Sequence, residues 1–445
     1  TLDETRSLSR QMGWMFVVAL FLRAYSMGGG TYTGIEAVSN NVNTLAEPRV
    51  KTGKWTMFYM ALSLSFTAGG IILLYLLWGA RPVAGQTLNA VVFNAIMDGW
   101  DNRGSLLTLT LALEAGLLFV AANTGFLGGP SVLANMAVDR WMPNRFRHLS
   151  SRLVTQNGVL LFGLAAFGVL VWSRGEVSLL VVLYSINVFL TFSLAILGLC
   201  RHWWTCRKSE RDWWWRLGLS GLGFSITGSI LLVTLAEKFT EGGWVTILIT
   251  SLVIVVCIAI RRHYDTVSRQ LETVDELFGA PGEGKIESVP RLDPQQPTAV
   301  FVVGRHRGVG MHALLWVLRM FPGHFKNFVF VSVGVVDAGN FGGDSAIRSM
   351  RHDVDADLTY FLNYCHHHGL AATCFYEYGT DPVEKLTELA EKINEQFPGC
   401  IFFASKLIFV RDNWLTRLLH NDTAVALQRR LHLRGMQMVI LPMKF

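Results

Sequence analysis

The first 262 residues of the chain form a succession of long apolar segments separated by short polar loops. A helix needs about 20 residues to cross the hydrocarbon core of a membrane, and these segments are close to that length or longer. The pattern predicts seven membrane spans, of which the first is interrupted: 12–43, 55–79, 105–135, 156–171, 177–199, 217–236 and 243–260. The stretch 87–96 is too short to span and is predicted to be a short surface helix.

Beyond residue 262 the pattern changes twice. Residues 263–297 are charged and proline-containing, which predicts a linker between a membrane domain (1–262) and a second domain (298–445). The second domain alternates apolar strands, at 299–303, 328–336, 371–378, 400–404 and 436–441, with helices at 312–320, 354–368, 382–396 and 413–433. This alternation predicts a mostly parallel, doubly wound α/β sheet.

The composition supports this division and excludes several classes of protein. Charged residues make up 16% of the chain and its mean hydropathy is +0.35, whereas soluble proteins carry about 25% charged residues. A chain that is soluble throughout, or disordered, is therefore excluded. The six cysteines show no paired metal-ligand spacing, so neither a zinc site nor a disulfide scaffold is expected. No catalytic Ser/His/Asp set and no P-loop is recognisable, which argues against an enzyme.

The basic residues are concentrated in alternate loops. Fourteen Lys and Arg residues follow the first, third, fifth and seventh spans, and four lie in the other loops. Because cytoplasmic loops carry the excess of Lys and Arg, the second domain is expected in the cytoplasm and Thr1 outside. An outside start with seven spans leads us to expect an odd number of earlier helices.

The interrupted first span carries the strongest functional signal. Three consecutive glycines, 28–30, lie in its middle, where each lowers helix stability by about 1 kcal/mol relative to alanine. An unwound segment inside a membrane is tolerated where it lines a polar cavity or is buried in protein. Such breaks form the binding sites of secondary transporters. Hydroxyls at Thr31, Tyr32 and Thr33, the backbone at Gly30, and a carboxylate one turn later at Glu36 predict a site for a cation or for a substrate with a proton. The alternative is a helix-packing surface, with Glu36 at the cytoplasmic mouth.

Other polar residues within the spans give weaker predictions. Arg23 and Glu114 are charged, and a structural ion pair between them is as reasonable as a role in transport. Asn123, followed by Gly128-Gly129-Pro130, indicates a second irregular point in the third span, and Tyr184 places a hydroxyl in the fifth. Asn123 and Tyr184 complete the predicted substrate or ion site.

The residues around the break resemble a known helix. Arg23-Ala24, the glycine-rich break, Thr33-Gly34-Ile35-Glu36-Ala37-Val38-Ser39-Asn40 and Glu47-Pro48-Arg49 resemble the sixth transmembrane helix of the amino acid–polyamine–organocation transporter superfamily. Within it the chain is most similar to KUP-type potassium–proton symporters with a cytosolic domain, a similarity that stretches 238–244 and 419–424 share.

This resemblance implies a polytopic membrane protein whose spans are helices six to twelve of a LeuT-like inverted-repeat transporter, helices one to five lying outside this sequence. It assigns ion ligation to Thr33 and Glu36 with Tyr32 beside them, and proton coupling to Glu36. The cytosolic domain is similar to universal stress proteins, some of which bind ATP through a glycine-rich loop after the fourth strand. Residues 403–407 lack that loop. The run 304–310 predicts either a phosphate site at a helix N-terminus or a glycine turn that forms without a ligand.

Three functions therefore stay open at the level of sequence. The leading one is proton-coupled potassium uptake through residues 28–36. The alternatives are an amino acid–proton symporter of the same superfamily and a membrane-tethered nucleotide sensor. The expected partners are the lipid bilayer, a small cation or amino acid, protons, and a second copy bound through the cytosolic domain. Neither a nucleic acid nor a cofactor is expected, apart from a nucleotide on the cytosolic domain.

Overall fold

The computed structural model describes residues 2–28, 33–40, 42, 45–277, 290–339, 344–408, 419 and 423–444. These residues form a series of helices followed by a separate region with a five-stranded sheet. They divide into two compact units, of which the first contains Thr1–Gly128 and Gly163–Val255 and the second contains Gly129–Phe162 and Val256–Phe445.

Ten α-helices precede the sheet within the described residues. In chain order they are α1 (Leu2–Met12), α2 (Trp14–Met27), α3 (Thr33–Asn40), α4 (Arg49–Leu77), α5 (Leu88–Ile96), α6 (Arg103–Val138), α7 (Gln156–Trp172), α8 (Val177–Thr205), α9 (Trp213–Lys238) and α10 (Trp244–Leu277).

Among the described residues, five helices are long and apolar enough to cross a membrane, namely α4, α6, α8, α9 and α10. α7 is apolar but has 17 residues, and the predicted first span corresponds to α2 and α3, with 14 and 8 residues. The most apolar windows of α4 and α6 contain no buried residue, as expected for side chains that face lipid. The chain is therefore a multi-pass membrane protein. The predicted short helix is confirmed as α5, which begins where the Thr87 hydroxyl accepts a hydrogen bond from the Ala90 amide.

The irregular point predicted at residues 128–130 is not a break. α6 continues as a single helix through Pro130. The small residues here allow close packing, because a Cβ atom on Gly129 would collide with the Phe162 ring and one on Gly158 would collide with Pro130. Glycine at these positions serves contact between α6 and α7 rather than unwinding.

The sheet of the second unit is entirely parallel, with strand order β3-β2-β1-β4-β5. Its strands are β1 (Thr298–Val302), β2 (Asn327–Val335), β3 (Ala371–Gly379), β4 (Ile401–Ile408) and β5 (Gln437–Lys444), and its helices are α11 (Arg307–Met320), α12 (Asp344–His367), α13 (Pro382–Gln396) and α14 (Thr423–Leu433). The predicted parallel α/β sheet and its five strands are confirmed.

Two apolar cores lie on opposite faces of this sheet. On one face the ring of Phe301 stacks on Phe330 and Phe403, both with ring centroids 5.6 Å away. On the other face Val300 packs with Leu389 from α13 and with its neighbours. The central strand β1 is therefore buried on both sides, which explains its uninterrupted apolar sequence.

The second unit also contains helical and loop residues that precede the sheet. α10 continues to Leu277, so it includes the first 15 residues of the segment predicted as a linker (263–277). The Tyr264 hydroxyl on this helix donates a hydrogen bond to the Leu419 carbonyl at 2.8 Å and accepts one from the Asn144 amide at 3.2 Å. The end of α10 and the loop after α6 therefore belong to the same packed body as the sheet.

Candidate functional site

The predicted site lies where α2 and α3 meet. α2 ends at Met27 and α3 begins at Thr33. The predicted ligands Gly30, Thr31 and Tyr32 lie outside the described residues. The structure places the backbones of Thr33 and Glu36 in the first turn of α3, and their side chains lie outside what it describes. The assigned roles of these five residues stay predictions.

The two short helices pack on different neighbours within the first unit. α2 packs on α8 and α9, and the ring of Tyr25, near the end of α2, lies 6.5 Å from that of the buried Phe189 on α8. α3 packs on α4, where Gly34 leaves room for the terminal methyl of Met60. The end of one half-helix and the start of the other are thus held by separate partners.

Of the two remaining predicted site residues, Tyr184 on α8 lines a cavity and Asn123 lies on α6. Tyr184 shares a cavity of about 560 Å³ with Asn187 and Thr250, whose hydroxyl donates a hydrogen bond to the Asn187 side-chain oxygen at 3.2 Å. The nearby Thr246 hydroxyl is buried and has no partner among the described residues. Asn123 is an exposed side chain of α6.

The partner of Glu114 was not anticipated from the sequence. The Asn89 amide on α5 donates a hydrogen bond to the Glu114 carboxylate on α6 at 2.5 Å, and its side-chain oxygen accepts one from the Tyr75 hydroxyl on α4. These three polar groups join α4, α5 and α6. The sequence left open an ion pair between Glu114 and Arg23, whose side chain lies outside the described residues. In the structure Asn89 binds Glu114, and the presence of a polar asparagine in a short apolar helix was the signal that pointed to such a contact.

In the second unit, the loop between α6 and α7 binds the segment that follows β2. The guanidinium of Arg147 lies 2.5 Å from the carboxylate of Asp337, which is 4% exposed, and the Ala338 amide donates to the Arg147 carbonyl at 3.0 Å. His148 pairs with Asp337 in an isolated antiparallel bridge. Burial first, and Arg147 second, lower the pKa of His148 against the opposing effects of Asp337 and Asp381. A neutral imidazole is therefore favoured in this loop.

A cavity of about 420 Å³ in the second unit lies at the carboxyl ends of β1 and β4. Ligands of doubly wound folds bind at this place, because the strand order reverses there. Its basic lining residues are Arg140, Arg147, Arg305 and His306. Three of the four are paired with carboxylates, since Arg140 contacts Asp265, Arg147 contacts Asp337 and His306 contacts Asp275.

In the glycine run 304–310, a carboxylate of the protein itself occupies the place where the sequence suggested a bound phosphate. The carboxylate of Asp275, from the end of α10, accepts a hydrogen bond from the Gly308 amide at 2.7 Å and lies 3.0 Å from the His306 Nδ1 atom. A Cβ atom on Gly308 would collide with Val274, and one on Gly310 would collide with Phe361. These glycines are required by packing, and a protein carboxylate fills the N-terminus of α11.

Comparisons with known proteins agree with the membrane architecture. The sequence profile of the family described as "Amino acid permease" matches residues 3–228, about half of the chain. The chain is also 28% identical over 257 residues to "Potassium transporter KimA" of Bacillus subtilis (strain 168), a match that covers 58% of this chain and 41% of that protein. The chain thus spans less than half the length of this relative. With its apolar helices and a profile match over half of its residues, the chain belongs to the amino acid permease family of the amino acid–polyamine–organocation superfamily.

Proposed function

We propose that the chain is part of a secondary active transporter that takes up potassium together with protons, with the ion bound between α2 and α3. The observation that carries this proposal is the 28% identity to a potassium transporter over 257 residues, and the match to the permease family over residues 3–228 includes the stretch between the two half-helices. A potassium ion is held by oxygen atoms, which the backbone carbonyls near Gly30 and the hydroxyls of Thr31, Tyr32 and Thr33 would supply. Glu36 would bind the coupled proton.

The physical reason for assigning this role to Glu36 is the unfavourable free energy of placing an unpaired carboxylate inside a membrane. A carboxylate near the middle of a span raises the insertion free energy by about 2.5–3.5 kcal/mol, so its presence is best explained by a cation or a proton that it binds. Residues 28–32 separate two helices in the sequence, and the freed backbone carbonyls would replace the water around the ion.

Uptake of labelled rubidium, a potassium analogue, into cells that lack their own potassium uptake tests this proposal. We expect Glu36→Gln to reduce rubidium uptake at least tenfold and to abolish its dependence on external pH. Glu47→Gln is the matched control, because Glu47 is exposed and its ion pair among the described residues is with the nearby Arg49, and uptake should stay near that of the unmodified protein. Unchanged pH-dependent uptake in the Glu36→Gln variant would refute the role of Glu36.

The second candidate is an amino acid–proton symporter, which the name of the matched family favours. Here the N-terminus of α3 would face the substrate carboxylate and the carbonyls its amine. The same cells supplied with labelled amino acids distinguish the two candidates. Amino acid uptake without rubidium uptake would replace potassium by an amino acid and leave the site in place.

We further propose the finer architecture that the sequence predicts. The transporter domain (1–262) would cross the membrane seven times, and the domain 298–445, similar to universal stress proteins, would lie in the cytoplasm and join two copies of the chain. Labelling the lysines of this domain with a membrane-impermeant reagent in intact cells and in inverted vesicles tests its side. Mass photometry of the purified chain tests for the dimer. The nucleotide sensor is the weakest function, because Asp275 occupies the N-terminus of α11. Calorimetry of the whole chain with adenine nucleotides would revive it if heat were observed.

A further inference from the structure

The turn between α8 and α9 combines tryptophans with positive charges more densely than any other part of the chain. Residues 201–216, which we name the basic hairpin, contain five tryptophans and five Lys or Arg residues against two acidic residues. The hairpin joins two helices that are each apolar and long enough to span a membrane. Its position therefore corresponds to the boundary between lipid and water, where tryptophan and basic side chains both accumulate.

The side chains of the hairpin are arranged as exposed pairs. Trp204, Trp214 and Trp215 are 55%, 64% and 64% exposed. The guanidinium of Arg207 lies 5.1 Å from the ring centre of Trp204, and that of Arg216 lies 4.8 Å from the ring centre of Trp203. A guanidinium stacked in this way still directs its N–H groups outward in its own plane, where they match the oxygens of a phosphate.

The charges of the basic hairpin have fewer protein partners than those of the loop after α6. In that loop two of the four arginines, Arg140 and Arg147, are paired with aspartates among the described residues. In the hairpin the described ion pair is Arg216 with Glu210, at 3.5 Å. Among the described residues Arg207, Lys208 and Arg211 are exposed and form no ion pair. The hairpin thus presents an unneutralised positive charge beside exposed indoles, which indicates an anion that carries an apolar part.

We propose that the basic hairpin binds anionic phospholipids, with the headgroup phosphate between Arg207, Lys208 and Arg211 and the indoles of Trp214 and Trp215 at the level of the acyl ester groups. An anionic leaflet attracts basic residues at its surface, and exposed tryptophans favour the same depth. A small soluble phosphate would satisfy the arginines but not the tryptophans. The inference is independent of which solute the transporter carries, because it requires only that α8 and α9 cross the membrane.

Native mass spectrometry of the whole chain in neutral detergent tests the proposal directly. The protein is titrated with dioleoyl phosphatidylglycerol or dioleoyl phosphatidylcholine, and the bound lipid is counted. We expect a preference for phosphatidylglycerol that Arg207→Gln/Arg211→Gln lowers about tenfold. The control Arg81→Gln/Arg174→Gln removes two exposed arginines from the opposite loops and should keep the preference. Trp214→Leu/Trp215→Leu should weaken the binding of both lipids while keeping the preference for the anionic one.

Several outcomes would overturn the proposal. One is an unchanged preference in the Arg207→Gln/Arg211→Gln variant, and another is an equal loss in the control. Displacement of phosphatidylglycerol by the same concentration of glycerol 1-phosphate would identify a soluble phosphate site instead. If the hairpin variant fails to fold, the unmodified protein decides the question at 0.5 M salt. Its preference for phosphatidylglycerol should then be lost, because salt screens exposed charges. A preference that persists in 0.5 M salt would contradict binding by the exposed charges of the basic hairpin.

Discussion

Apolar side chains face opposite surroundings in the two regions of the molecule. In α6 the side chain of Leu117 is 72% exposed, whereas Phe301 at the centre of the sheet is fully buried. Both residues belong to long apolar segments, so the difference lies in what covers them. Lipid covers the helix in the membrane, where the backbone hydrogen bonds within one helix are complete, whereas the strands of the sheet need protein on both faces. A long apolar segment therefore raises the free energy of unfolding of the sheet region, whereas in α6 it favours insertion into the membrane.

The largest expected effect breaks the sheet core while leaving the membrane helix intact. Phe301→Ala removes a ring stacked on Phe330 and Phe403 and should lower the free energy of unfolding of the second unit by about 3–5 kcal/mol. Leu117→Ala should lower the local stability of α6 in the first unit by less than about 0.5 kcal/mol. Hydrogen exchange in detergent measures Phe301→Ala on the β1 and β2 peptides and Leu117→Ala on the α6 peptides. An equal loss of protection in the two would mean that protein covers Leu117.

An intermediate effect is expected from the polar contacts. Asp337→Ala leaves Arg147 without its partner and removes the acceptor of the Gly339 amide, so the loop after α6 should lose about 2–3 kcal/mol of protection against hydrogen exchange. Asp265→Ala is the control, because its pair with Arg140 is long at 3.7 Å and 42% of its side chain is exposed, and it should cost under about 1 kcal/mol. Similar losses would show that burial does not strengthen the Arg147–Asp337 pair.

The smallest effect is a pH dependence of the same loop. Burial holds the pKa of His148 below its ordinary value of 6.5, so the unfolded loop binds a proton more readily than the folded one. Protection of residues 144–155 is therefore complete above about pH 7 and should decrease as the pH falls through 6.5. His148→Gln should flatten this dependence in hydrogen exchange measured between pH 5 and pH 8. A loop that gains protection on acidification would reverse the assigned sign.

The sequence predicts the elements of the second unit well because its signals are local. α13 was predicted at its observed bounds, since Asp381 caps it and Pro382 occupies its first position. The five strands follow from apolar runs of the right length. The continuation of α10 to Leu277 was missed because residues 263–277 are polar, and a polar helix held by contacts such as that of Tyr264 with Leu419 shows no apolar run.

Contacts between distant residues could not be predicted. Glu114 binds Asn89, and Asp275 fills the N-terminus of α11, but no periodicity relates these residues. The candidate site stays a prediction, which could be made from residue order alone because its glycines and hydroxyls are contiguous in residues 28–36. The placement of Tyr184 in a cavity with Asn187 depends on residues of α8 and α10 lining the same cavity, which the sequence does not specify.

The long sequence separation between Arg147 and Asp337 has a consequence for folding during synthesis. The two residues are 190 positions apart, so a ribosome that adds about 5–20 residues per second completes the loop roughly 10–40 s before its acceptor exists. During that interval α7 to α11 and the strands β1 and β2 are synthesised, and Arg147 has no Asp337 carboxylate to pair with. The second unit is thus assembled from two segments of the chain that are synthesised at different times. A nascent chain halted before residue 337 would expose the unpaired loop to a protease or a chaperone.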